Sequence, residues 1–154
     1  MRNKTKFNPK GMNSVLKKLE ALKQTQVVVG IPAVANKIHE GGVSNAVIAA
    51  AHEFGVPDKN IPERSFLRST FNENKDKAAS FLATRIRNAL ISKGDMNKPF
   101  ELLGLKMATE VKGKIQSGIE PPLLKATIKR KGSSKPLIDT GQLVQSITYE
   151  VRNG

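Results

Sequence analysis

The chain has 154 residues, and 26 Lys and Arg against 13 Asp and Glu give it a formal net charge of +13 at pH 7. This length predicts one domain with its own core, and no apolar run approaches the ~20 residues of a membrane span, which excludes a transmembrane role. The absence of cysteine and the presence of only two histidines exclude disulfides and thiolate zinc sites and disfavour most enzyme classes.

The N-terminal segment is polar and basic. Residues 1–11 contain Pro9 and Gly11 and predict a flexible basic arm, which leaves 12–154 as a single domain. No apolar stretch follows the first basic residues, so we expect no secretory signal and a protein made in the cytoplasm. From Asn13 onward, apolar residues recur at helical spacing and predict a short amphipathic helix.

A strand, a loop and a helix follow. The β-branched run 26–31 predicts a strand that ends at Pro32. Residues 33–44 have little periodicity and predict a mobile surface loop. An alanine-rich helix over 46–54 is expected next, capped by Ser44 or Asn45.

Two long helices are predicted in the middle of the chain. Two prolines make 56–64 an extended connector, because proline disfavours α geometry in the preceding residue. Apolar residues at helical spacing predict helices over 74–93 and 99–117, which should pack together. The next segment, 118–138, is rich in Pro, Gly, Ser and Lys and predicts a long extended loop, named here the basic excursion.

The last residues return to regular structure. Asp139 or Thr140 is expected to cap a helical turn, and the alternation over 146–152 predicts a strand with one buried face. The whole pattern predicts an α+β fold, with a small β-sheet packed against two long helices and the basic excursion projecting from it.

Several short segments resemble chemical motifs but lack the spacing or the chain length that those motifs require. Asp139-Thr140-Gly141 matches the aspartic-protease triplet, but too few residues follow it for a flap. His39-Glu40 and His52-Glu53 each lack the second histidine of a zinc helix, and Gly132-Ser133-Ser134-Lys135 lacks the phosphate-loop spacing. We therefore predict no catalytic residue, no cofactor and no metal, and expect a protein that is not an enzyme.

The positive charge favours polyanionic partners. Both ends of the chain are basic, which suits nucleic acid or the acidic face of a protein. One Tyr, six Phe and no Trp leave few aromatic side chains for base stacking. Charge alone does not choose between these partners, and solvated lysines are the simplest interpretation of many of these residues.

Three stretches carry a resemblance to a known family. The first is Ala49-Ala50-Ala51-His52-Glu53-Phe54-Gly55, and the second is Ile61-Pro62-Glu63-Arg64-Ser65-Phe66-Leu67-Arg68. The third runs from Pro121-Pro122-Leu123 through Ala126-Thr127-Ile128-Lys129-Arg130-Lys131-Gly132 to Pro136-Leu137-Ile138-Asp139-Thr140-Gly141-Gln142-Leu143. In this combination the chain resembles the virion morphogenesis, or tail-completion, proteins of tailed bacteriophages, over about residues 27 to 152. Ser65 departs from the pattern, which usually has a second proline there.

The resemblance implies a structural virion protein that forms a ring at the head-proximal end of the tail. Such a ring terminates the tail or joins it to the neck, after assembly in the host cytoplasm. The implied partners are other copies of the chain, in a hexamer first and a dodecamer as the alternative, together with tail tube or sheath and neck or connector proteins. A neck (head-completion) adaptor ring and a basic nucleic-acid-binding module remain as alternatives.

Two groups of residues are candidates for contacts between subunits. An extended segment can bury an apolar anchor and offer guanidinium groups at its rim, which points to Arg64, Phe66, Leu67 and Arg68. The alternative is that Phe66 and Leu67 only close the domain's own core. Cations of the basic excursion form the second group: Lys125, Lys129, Arg130, Lys131 and Lys135. The alternative for these is a solvated loop. Genomic DNA is expected to pass through the ring without specific binding.

Overall fold

A computed structural model describes residues 9–39, 41–123, 128–129, 137 and 141–153. The helices and strands follow in the order α1 (Pro9–Leu22), β1 (Thr25–Gly30), α2 (Asn45–Phe54), α3 (Leu67–Ser92), α4 (Lys98–Ser117), α5 (Gln142–Ser146) and β2 (Thr148–Asn153). Short 3-10 turns lie at Ala33–Ala35 and Pro57–Lys59.

The strands pair across nearly the whole length of the chain. β1 runs antiparallel to β2, with Val27 opposite Val151 and Val29 opposite Tyr149. α4 packs against both strands and against α3. This arrangement confirms the predicted α+β class, in which a small sheet lies against two long helices.

The core lies where α4 meets the C-terminal elements and the start of α3. Phe66, Ile115 and Ile147 have no exposed surface, and Val111 and Leu143 lie in the same cluster. Burying each large apolar side chain of this kind contributes roughly 1.5–3 kcal/mol before entropy is counted. The apolar stripe predicted on α4 is therefore the stripe that builds the core.

α4 and β2 approach each other closely at Gly104. A Cβ added at this position would overlap Cδ2 of Tyr149 and would lie 2.6 Å from Cγ of the same ring. The absence of a side chain at Gly104 leaves the space that the Tyr149 ring occupies, so α4 and β2 can pack closely there.

Two helices begin earlier than predicted. α3 begins at Leu67 and not at 74, and α1 begins at Pro9 and not at Asn13. Proline suits a first helical turn because it has no N–H to leave unpaired. Residues 9–11 thus belong to α1, which corrects the predicted arm of 1–11; residues 1–8 lie outside the described part.

The loop before α2 is held by hydrogen bonds, which differs from the mobile loop predicted over 33–44. Asn36 Oδ1 accepts the Ala46 N–H at 2.8 Å, and Ile38 forms a bridge with Ser44. Ser44 also caps α2, because its hydroxyl accepts the Val47 N–H at 3.4 Å. The hydrogen bond of the Asn36 side chain helps to hold this loop in place. Hydrophobic periodicity does not reveal a contact of this kind.

Candidate interface around Glu53 and Arg64

Glu53, near the end of α2, holds the start of α3. Its Oε2 accepts the Phe66 and Leu67 N–H groups at 2.8 and 2.9 Å, and its Oε1 accepts the Arg68 N–H at 2.9 Å and the Ser65 hydroxyl at 2.7 Å. The side chain is only 3% exposed. A helix leaves its first N–H groups unpaired, and here one carboxylate from a preceding helix satisfies three of them. We call Glu53 with residues 65–68 the Glu53 cluster.

The surroundings of Glu53 keep it ionised. Burial raises the pKa of its carboxyl, but hydrogen bonds from three backbone N–H groups and the Ser65 hydroxyl lower it, and the net pKa lies below the ordinary 4.5. Hydrogen bonds to the charged form of a carboxylate favour that form. The carboxylate therefore serves as the acceptor that holds these groups together.

Arg68 covers the outer side of the Glu53 cluster. Its Nε donates to Glu53 Oε1 at 3.1 Å, and its second nitrogen donates to the Glu53 carbonyl at 2.8 Å and to Glu63 Oε1 at 2.7 Å. The guanidinium carbon lies 4.7 Å from the centroid of the Phe54 ring, within cation–π range. The side chain is 50% exposed, so Arg68 is accessible but already bound to two carboxylates.

Arg64 points inward and binds the start of the basic excursion. Its Nε donates to the Pro121 carbonyl at 2.7 Å, and one terminal nitrogen donates to the Pro122 carbonyl at 3.3 Å. The residue is 4% exposed, and burial lowers the pKa of its guanidinium. We call this pair of bonds the Arg64 contact; it joins two segments that are 57 residues apart.

Two of the predicted interface residues are therefore buried in their own subunit. Phe66 has no exposed surface and Arg64 is almost fully buried, so the prediction that they reach a neighbouring copy is wrong for both. Leu67 is half-buried and packs at the edge of the core. The alternative interpretation, in which the segment closes the domain's own core, is the one that fits Phe66 and Leu67. Arg68 alone of the four presents a largely exposed side chain.

The cations of the basic excursion fall mostly beyond the described residues. Lys129 is exposed. Lys125, Arg130, Lys131 and Lys135 lie outside the described part of the chain, and so do Asp139 and Thr140. The interface role of these four cations stays a prediction, as does the capping role of the last two.

An open groove lies beside the Arg64 contact. It has a volume of about 1090 Å³, and its walls come from the connector after α2 and from residues 121–123. Most of its lining is apolar, including Phe54, Ile61, Pro62 and Leu123. Among the described residues no group of three or more His, Asp or Glu side chains is arranged to hold a metal, and no helix there is apolar over a membrane-spanning length.

Sequence reasoning missed the role of Glu53. Its neighbour His52 suggests a metal motif, whereas the actual partners of Glu53 lie 12 to 15 residues further on. The signal was present in the resemblance, since His-Glu-Phe-Gly and Ser-Phe-Leu-Arg occur together. The Arg64 contact could not be inferred from side-chain chemistry, because its acceptors are backbone carbonyls that any residue carries.

No family model matches the chain, and no relative was found among curated proteins or solved structures.

Proposed function

We propose that this chain is a structural virion protein of a tailed bacteriophage, which forms a ring at the head-proximal end of the tail and terminates the tail or joins it to the neck. One observation supports this most: the separate stretches that carry the family resemblance meet in space. Glu53 binds residues 65–68, and Arg64 binds the carbonyls of Pro121 and Pro122. A structural motif shared by a family is expected to show such contacts, because stretches that are distant in sequence then hold one another in place.

The same contacts support a role without catalysis. The carboxylate of Glu53 accepts five hydrogen bonds. Arg64 is enclosed and Arg68 is bound to two carboxylates, so the charged side chains of the motif are engaged in holding segments together. The hydrogen bonds of the Glu53 cluster join segments of one chain, which favours a structural role for these charged side chains.

Subunit contacts have candidate surfaces elsewhere. Val47 and Phe54 are exposed on α2, and Phe71 and Ile91 are exposed on α3. A ring that closes by rotation needs two different complementary patches on each subunit. The exposed apolar residues of α2 and α3 are the candidates for such contacts. A hexamer is the first expectation and a dodecamer the second. Tail tube or sheath proteins and neck or connector proteins are the further partners, and a neck adaptor ring remains the alternative within the same class.

The +13 charge favours one other candidate, a basic nucleic-acid-binding module. Gel-shift binding that persists at ~200 mM salt and depends on Lys129 and Arg130 would favour that module over the tail ring. In the proposed ring, most Lys and Arg face protein partners or solvent, because phosphate held tightly would slow the passage of DNA. A steep salt dependence of DNA affinity in the assembled ring would contradict this.

The mass of the purified protein in solution tests the ring. Six copies of the 16.8-kDa chain give a closed assembly of about 101 kDa, and twelve give about 202 kDa. Native mass spectrometry should show one of these as a discrete species. A monomer at all concentrations, or an open-ended series of sizes, would oppose the proposal.

A further inference from the structure

The two strands form a sheet of their own, and each strand has an outer edge. Among the residues that the structure describes, β1 and β2 pair with each other and neither pairs with a third strand. No described backbone group outside the two strands is hydrogen-bonded to the backbone of either. A free strand edge presents a row of N–H and C=O groups that can pair with another extended chain.

β2 carries one acid and one base on the same face. Tyr149 packs against α4 at Gly104, so the side chains of residues 149 and 151 point toward the helix. Glu150 and Arg152 therefore lie on the opposite face, where their side chains pair at 2.7 Å. These two side chains are 40% and 60% exposed, so both remain accessible to a further partner.

A second β2 strand is the partner that these charges fit. When two copies of one strand pair antiparallel, opposite residues must both point their N–H and C=O groups into the contact or both point them away. The two-fold axis then passes through a residue, for which Glu150, Val151 and Arg152 are the central choices. An axis at Val151 places each Glu150 opposite Arg152 of the other copy. An axis one residue to either side places like charges opposite each other, which is unfavourable.

We propose that two copies of this chain pair through the outer edges of β2, antiparallel and with Val151 at the two-fold axis. The contact joins two sheets of two strands into one sheet of four. Two carboxylates and two guanidinium groups alternate on one face, and the two Val151 side chains lie opposite each other on the face toward α4. Main-chain hydrogen bonds supply the affinity, and the charges set the register.

Other occupants fit this edge less well. β1 has no charged residue, so β1 of another copy would place nothing of opposite charge across from Glu150 and Arg152. A foreign strand would need a base and an acid two residues apart, and β2 itself meets this requirement. Because the contact is two-fold, it is separate from the contacts that close a ring by rotation, and the proposal does not rest on the ring.

A cysteine at the axis tests the pairing in the full-length protein. The chain has no cysteine, so Val151→Cys introduces one thiol per copy. Opposite residues of antiparallel strands have Cα atoms about 4.5–5.5 Å apart, a distance that a disulfide spans. With oxidised glutathione, we expect this variant to form a cross-linked pair, which two copies of the 16.8-kDa chain place at about 34 kDa on a non-reducing gel. Val28→Cys, at an exposed position of β1, is the control and should cross-link about tenfold less or weaker still.

Charge changes made in the Val151→Cys chain test the register. Glu150→Arg alone and Arg152→Glu alone each place like charges opposite each other and should lower cross-linking about tenfold or more. Combining both changes in one chain, or mixing the two singly changed chains, again places opposite charges across the axis and should restore cross-linking to within about threefold. Glu110→Arg, at an ion pair of α4 with similar exposure, is the control and should change cross-linking less than about twofold. Unchanged thermal unfolding would show that each variant folds.

Three results would overturn the proposal: no cross-link at Val151, equal cross-linking in the singly changed chains, or no recovery when the two changes are combined. If Val151→Cys impairs folding, sedimentation velocity of the same charge variants with Val151 intact provides the same comparison.

The outcome is distinguishable from that of the proposed function. Cross-linked pairs without a ring would support this contact and oppose the tail ring. A ring that forms without the cross-link would overturn the contact and leave the tail ring standing.

Discussion

Glu53 shows how one side chain can fix where a helix starts. Phe66, the residue before α3, offers no side-chain cap of its own, and the preceding sequence has no local capping box. The carboxylate of Glu53 takes over that role from a distance of more than ten residues in sequence. Its position at the end of α2 thereby sets the junction between α2 and α3.

Removing the carboxylate should destabilise the fold. Glu53→Ala leaves three helix N–H groups and the Ser65 hydroxyl without their acceptor, and we expect the free energy of unfolding to fall by about 2–4 kcal/mol. Urea unfolding followed by circular dichroism measures this. Glu63→Ala is the matched control, since Glu63 is exposed and its carboxylate accepts a hydrogen bond from Arg68. The control should lower the free energy of unfolding by less than about 1 kcal/mol. Equal losses in the two variants would mean that the hydrogen bonds of Glu53 to the start of α3 add no more stability than an exposed ion pair.

Protonation of Glu53 should also lower the stability of the fold at acidic pH. The pKa of its carboxyl is lowered in the folded state, so its contribution is complete above the unfolded value near 4.5 and is lost as pH falls through the folded value. Comparing unfolding of the native chain and Glu53→Gln from neutral pH down to about 3 tests this. The native chain should lose stability more steeply below the unfolded value than the variant does. Parallel curves would show that this carboxylate does not titrate with a lowered pKa.

At the scale of elements, local signals predicted most boundaries. Ser44 as a cap and the apolar spacing over 99–117 predicted the starts of α2 and α4 to within a residue. The strands β1 and β2 followed from the β-branched run and from alternation. α3 was predicted to begin seven residues late because its cap comes from another helix. Long-range contacts of this kind have no local signature, and this is the part of the fold that sequence alone did not reveal.

Two glycines of α4 should respond in opposite directions to the same change. Gly104→Ala drives a methyl group into the Tyr149 ring and should cost about 1–3 kcal/mol of unfolding free energy. Gly113→Ala meets no atom within 4 Å at an exposed helix position and should gain about 0.5–1 kcal/mol. Chemical unfolding of both variants measures the difference. If Gly104→Ala left the free energy of unfolding unchanged, α4 and β2 would be able to move apart without loss of stability.

At the scale of the whole molecule, Arg64 connects the first half of the chain to the second. It sits in the connector after α2, while its acceptors follow α4. Together with the Glu53 cluster it ties the two motif regions into one body. Arg64 and Phe66 were expected from sequence to contact a neighbouring subunit, but both are buried within their own chain. An apolar residue close to an arginine gives the same sequence pattern in a subunit contact and in a core.

Loss of the Arg64 contact should loosen residues 118–123. Arg64→Met keeps the apolar stem but removes both hydrogen bonds, and we expect a loss of about 1–3 kcal/mol together with faster amide hydrogen exchange at Gly118, Ile119 and Glu120. Arg87→Met, at an exposed position on α3, is the control and should leave exchange there unchanged. Unchanged exchange in Arg64→Met would show that the two carbonyl bonds do not hold this segment.

Electron microscopy of tail tubes mixed with the purified protein tests whether the chain binds the end of a tail. The proposed function predicts a ring at one end of each tube, with none along its length, because a terminating subunit recognises only the exposed end. Glu53→Ala, which loosens the motif, should reduce the fraction of capped ends, and Glu63→Ala should not. Tubes with bare ends, or protein spread evenly along them, would contradict a tail-terminating or tail-joining role.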